Sequence, residues 1–155
     1  MINRNDHVFG AVSLAQPVIS DSGATRSLNE TESGSLALFN RAAGIVYTLP
    51  AAAKVGTFFD FVITTTITSN AAKVITGAGT ELLIGGYTNV DTDTSNAVAS
   101  FTANGSTHVA VSMNGTTTGG ILGTKLRFTC LSSTRWMVEG IVQGSDVVAT
   151  SFATS

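Results

Sequence analysis

Across residues 35–66 apolar and polar side chains alternate with a period of two, in three runs separated by turn signals. In the first run Leu36, Leu38 and Asn40 fall on one side and Ala37 and Phe39 on the other, the pattern of a strand with two distinct faces. Ala42-Ala43-Gly44 breaks it. Ile45, Tyr47 and Leu49 then alternate with Val46 and Thr48 as far as Pro50, which has no N–H to give to a ladder and so ends the strand. The third run, TFFDFVITTT over residues 57–66, is β-branched and aromatic almost throughout, which suits a largely buried strand better than a helix. Asp60 interrupts it, and either marks the solvent face or meets an arginine such as Arg127 across the sheet.

The flanking segments extend the same pattern. Residues 1–25 are punctuated by Pro17 and Asp21-Ser22-Gly23 and read as an extended N-terminal arm, with a short strand over 8–14. Short strands are predicted at 73–76 and 82–84, and the polar run YTNVDTDTSN at 87–96 reads as a surface loop. Segments 97–101, 108–113 and 121–131 are joined by Asn104-Gly105 and Asn114-Gly115, pairs that supply the positive φ angles of tight hairpins, so the pattern predicts an antiparallel meander. Ser132-Ser133 then turns the chain into 135–142, where Trp136, Val138 and Val142 share one face and Glu139 lies on the other. Residues 146–155 are small and polar and read as a C-terminal tail, which leaves 26–145 as the domain. The only helical candidate, 50–55, is one turn long. The expected fold class is therefore all-β and antiparallel.

At 155 residues the chain is long enough for one core, and 43% hydrophobic content is ample to fill it. Charged residues make up only 12%, about half the usual share, so the surface is expected to be neutral and rich in hydroxyls. The eight Lys and Arg are scattered singly and the net charge is −2, which argues against a nucleic-acid partner, because no basic stripe exists to displace counterions from a phosphate backbone. No run reaches the length of a membrane-spanning helix and the N-terminus carries no signal-peptide pattern, so no membrane association is expected. Cys130 is the lone cysteine; it has no intrachain disulfide partner and reads as a buried or half-buried strand residue.

Candidate chemistry is thin. Asp91, Asp93 and Ser95 imitate the start of an EF-hand calcium loop, but Asn96 stands where the turn wants glycine and Thr102 where a bidentate glutamate is needed, so a solvated loop is favoured. His7 and His108 are the only histidines, and with one cysteine they offer no zinc spacing. Asp60 and Glu81 could be paired as a glycosidase acid and base, yet ten acidic residues spread over an all-β chain give no spacing that selects them. Gly77, Gly79 and the Gly85-Gly86 pair precede no helix whose N–H groups could hold phosphate. Trp136, Tyr47 and Tyr87 could form a sugar-stacking platform, with core packing the favoured alternative. No catalytic residue, metal ligand, cofactor or small-molecule substrate is expected.

Two stretches carry a family resemblance. LNETESGSLALFNRAAGIVYTLPAAAKVGTFFDFVI, over 28–63, and GTKLRFTCLSSTRWMVEGIV, over 123–142, resemble segments of small bacteriophage virion proteins, especially capsid decoration or cement proteins. The resemblance implies a jelly-roll-like β-sandwich on the outer capsid surface of a virion made in the host cytoplasm. It would bind the major capsid protein and bridge coat subunits as a homotrimer. The Leu-Pro-Ala pattern at 49–51 is also similar to tail-fibre modules, which keeps a receptor- or glycan-binding role as the alternative. On the capsid reading residues 1–25 are expected to be a contact element and the 87–96 loop to face outward.

Overall fold

The first half of the chain winds between two sheets. In the computed structural model, which describes residues 15–93 and 97–155, β1 (Val18–Ser20), β3 (Leu36–Phe39) and β5 (Phe58–Ile63) belong to one sheet. The intervening β2 (Thr25–Ser27), β4 (Val46–Thr48) and β6 (Ala72–Ile75) belong to the other. Each strand returns to its own sheet after one full turn, so β1, β3 and β5 run parallel, as do β2, β4 and β6. Parallel neighbours need a long crossover. Here the crossover is a strand of the opposite sheet.

The second half closes both sheets. It supplies β7 (Leu82–Asp91), β8 (Val98–Thr102), β9 (Ala110–Met113), β10 (Lys125–Ser132), β11 (Arg135–Gly144) and β12 (Phe152–Ala153). The seven-stranded sheet has the order β1-β3-β5-β10-β11-β7-β8, and the five-stranded sheet the order β12-β9-β6-β4-β2. The result is all-β, with two mixed sheets packed as a sandwich. The uniformly antiparallel pairing expected from the sequence is corrected by the parallel pairs of the winding half and by β11 beside β7.

Aromatic residues fill the space between the layers. Phe61 on β5 lies 5.4 Å from Phe128 on β10, 5.5 Å from Tyr47 on β4 and 6.1 Å from Phe39 on β3, so one ring ties four strands from both sheets together. Trp136, Val138 and Val142 face inward from β11 while Glu139 is exposed, as the alternation predicts. Cys130 is buried and free.

Three local expectations are revised. The meander does not form: β8 and β10 lie in the seven-stranded sheet and β9 in the other. The two Asn-Gly pairs are bridges between the sheets. Asn104 Oδ1 accepts the N–H groups of Ser106, Thr107 and His108, and Asn114 Oδ1 those of Thr116 and Thr118, so each asparagine organises a wide loop through its side chain. Gly115 is needed there, with φ +86° and a Cβ that would come within 1.9 Å of the Ile67 carbonyl.

Most of the 87–96 segment is not a loop. β7 runs through Asp91 and buries Tyr87, Asn89 and Asp91. Within the segment expected as an arm, residues 18–20 form β1 and Thr25 opens β2; residues 1–14 lie outside the described residues. The tail also joins the fold. β12 pairs with β9, Phe152 stacks on His108 at 5.3 Å, and the Tyr87 hydroxyl accepts hydrogen bonds from the Ser151 N–H and hydroxyl, each at 2.6 Å. Ser151→Ala should therefore lower stability by about 1 kcal/mol in chemical denaturation, the net value of one buried hydrogen bond.

Candidate functional site

Cross-strand register assembles the most structured polar feature on the outward face of the seven-stranded sheet. Leu36, Asp60, Arg127, Glu139 and Gly86 are successive partners across β3, β5, β10, β11 and β7. The next outward row reads Leu38, Val62, Lys125, Ile141 and Thr88. Asp60 is therefore both of the things the sequence allowed, an outward residue and the partner of Arg127.

The pairing is tight. Arg127 donates from Nε to Asp60 Oδ1 and from Nη2 to Oδ2, both at 2.7 Å, in the bidentate geometry that a planar guanidinium favours. Gln16 Nε2 donates to Oδ2 at 2.8 Å, and the guanidinium stacks 4.7 Å above the Phe58 ring. The Asp60 side chain is only 3% exposed and that of Arg127 43%. The hydrogen bonds from Arg127, opposed by burial and joined by that of Gln16, hold the Asp60 carboxyl below the usual carboxylate range, and Arg127 is raised in turn. A carboxylate so held is a poor proton donor, the opposite of what a general acid needs at neutral pH.

Around this pair the face is divided. Lys125, Glu139 and Gln143 rim a shallow depression of about 400 Å³ beside Asp60 and Arg127. Leu36, Leu38 and Val62 lie on one flank, half-buried by their neighbours, while Ile141 on the other is 56% exposed. Such a face suits broad contact with a second surface, its fixed charges setting register and its aliphatic side chains losing water.

The remaining candidates serve the fold. Asp91 is buried, with Oδ1 accepting the Asp93 N–H, and Asp93 Oδ2 accepts the Asp146 N–H, so both carboxylates organise the chain around the strand end. Ser95 lies outside the described residues. His108 Nδ1 accepts the Asn104 N–H beneath Phe152; His7 lies outside the described residues. Among the described residues no three His, Cys, Asp or Glu side chains converge as a metal would require. Glu81 is 1% exposed and accepts the N–H groups of Ala52 and Ala78, bolting two loops together; Asp60 has other partners, so the acid-base pairing of the two does not arise. Gly85 and Gly86 lie within β7 and open no helix. Trp136, Tyr47 and Tyr87 are 0%, 0% and 4% exposed, which makes them core residues and unavailable to a sugar. The outward apolar row escaped sequence reading, since alternation alone does not tell which face of a strand looks inward when both carry apolar side chains, as Leu36 and Leu38 beside Ala37 and Phe39 do.

No family model, curated protein or solved structure matches the chain.

Proposed function

We propose that this chain is a structural virion protein that binds the outer surface of an assembled phage capsid and stabilises it by bridging coat-protein subunits. The observation that carries the reading is the outward face of the seven-stranded sheet, where aliphatic residues flank the fixed Asp60–Arg127 pair. Seven strands span roughly 29 Å across their hydrogen bonds. With strands up to ten residues long, the face covers on the order of 700 Å², close to the ~800 Å² that each partner contributes to a standard protein interface.

Binding to the assembled lattice and not to the free coat subunit adds its free energy to particle stability by linkage. Many copies on one shell act together, so modest single-site affinity is sufficient. The contact arm is narrowed to residues 1–14, because removal of 15–25 would also take β1 and part of the pairing of β2. Deleting 1–14 should abolish co-sedimentation with emptied capsids of the encoding phage while leaving far-ultraviolet circular dichroism unchanged. Full retention of binding would refute that contact.

A tail-fibre role is the second reading, favoured by the parallel winding of β1 to β6, a geometry that extends by stacking further turns. Gold-labelled antibody raised against the purified chain separates the two: labelling over the heads of virions supports the capsid reading, and labelling confined to tails supports the fibre. A glycan platform on Trp136 or Tyr87 is not carried forward, because both rings are inside the sandwich.

A further inference from the structure

Among the described residues four strands end the two sheets, and three of them are poor templates for another chain. β1 is three residues long and follows Pro17, which has no N–H. β2 is also three residues, and its Arg26 is held by Asp21 and Glu32. β12 has two residues. The fourth, β8, is five residues long with the sequence VASFT, without charge or proline, and its pairing with β7 is unbroken from Val98 to Thr102.

The side of β8 that no described strand covers has a definite pattern. At its two ends the Asp91 N–H bonds the Ala97 carbonyl and the Ala103 N–H bonds the Gly85 carbonyl, which sets the phase of the ladder. Ala97, Ala99, Phe101 and Ala103 therefore turn their main-chain groups toward β7, and Val98, Ser100 and Thr102 turn theirs away from the sheet. That set is symmetric about Ser100.

We propose that β8 pairs antiparallel with β8 of a second copy of this chain, about a two-fold axis at Ser100. In that register Val98 lies opposite Thr102 of the second copy and Ser100 opposite its own counterpart, so every outward N–H and C=O finds a partner. The side chains that meet are Val with Thr and Ser with Ser, small uncharged pairs that suit neighbouring strands. Val98, 64% exposed, loses water in the contact. A heterologous contact between β8 and another edge would meet the shorter strands described above, whereas the isologous contact is complementary by construction. The pairing gives a two-fold dimer in place of the three-fold ring implied by the family resemblance, and it does not depend on the capsid reading.

A five-residue ladder is small beside the ~1,600 Å² of a standard interface, so the dimer should dissociate in the micromolar range. Sedimentation velocity between about 1 and 300 µM should show the mean mass rising from that of the 15.9 kDa chain toward twice that value. Ser100→Lys sets two like charges face to face and should move the midpoint up by about tenfold or more with unchanged circular dichroism. Independently, Ser100→Cys should give a covalent dimer on oxidation, since facing Cα atoms in such a pair lie about 5.5 Å apart, within disulfide reach. Cys130 is fully buried and does not compete. A single-chain mass throughout, a trimer, an assembly indifferent to Ser100→Lys, or a Ser100→Cys protein that stays uncrosslinked would each overturn the proposal.

Discussion

Phe61→Ala should destabilise the protein by about 4–5 kcal/mol, at the upper end for truncation of a buried aromatic side chain. The ring is 2% exposed and its three aromatic neighbours, Phe39, Tyr47 and Phe128, come from β3, β4 and β10. Both sheets therefore border the space it leaves. Relaxation into that space would need the two layers to approach each other, and the other large side chains between them, Phe59 and Trp136 among them, hold them apart. The position matters for folding topology as well. β5 joins the parallel winding half, through β3, to the second half of the chain, through its antiparallel neighbour β10. Urea unfolding followed by tryptophan fluorescence should show a lower midpoint with an unchanged slope, and Val62→Ala, on the outward face of the same strand, should cost less than about 1.5 kcal/mol. A loss below about 2 kcal/mol for Phe61→Ala would mean that the layers collapse freely, contrary to the packing described.

The positions of strands were legible in the sequence where the physics is local. Pro50 ends β4 because it cannot donate, and the β-branched and aromatic run at 57–66 contains β5. The inward set on β11 and the cross-strand meeting of Asp60 with Arg127 were also within reach, since strand alternation and opposite charge suffice to suggest them. Partnership between strands was not. β3, β4 and β5 follow one another in sequence, yet β4 belongs to the opposite sheet, a choice made by long-range packing that leaves no mark on a window of ten residues. Asn104-Gly105 and Asn114-Gly115 misled for a related reason: asparagine can supply a left-handed residue to a hairpin or a side-chain acceptor to a wide loop, and the sequence is the same in both cases. Tyr87 and Asn89 are polar enough to suggest a loop, but a polar residue can be buried when its partners arrive from far along the chain. Tyr87 meets Ser151, and Asn89 Nδ2 donates to the Thr117 and Ala149 carbonyls. The same contact, seen from the other end, turns the expected tail into part of the sandwich.

The second large effect is expected at the outward ion pair. Arg127→Ala should lower stability by about 2–3 kcal/mol, somewhat less than the ~3–5 kcal/mol for breaking a fully buried pair, because water reaches the exposed side of Arg127. The loss comes chiefly from Asp60, a carboxyl 3% exposed that loses both Arg127 hydrogen bonds and, among the described residues, keeps the Gln16 donor. The double replacement Asp60→Leu with Arg127→Met removes both charges and should recover most of the loss. Acid titration provides an independent check. The Asp60 carboxyl is held below the usual range by Arg127, so the unfolded chain takes up that proton first as the pH falls. The contribution of the pair is thus complete above the unfolded carboxylate pKa of about 3.9, declines below it, and vanishes once the pH passes the lower pKa of the folded state. In the double variant the decline of stability with acid below about pH 4 should be shallower than in the parent by up to one proton. An equal acid slope in both proteins would show that Asp60 titrates alike in the folded and unfolded chain. The carboxylate would then draw no net stabilisation from Arg127, and the pair would lose its place as the rigid centre of the proposed docking face.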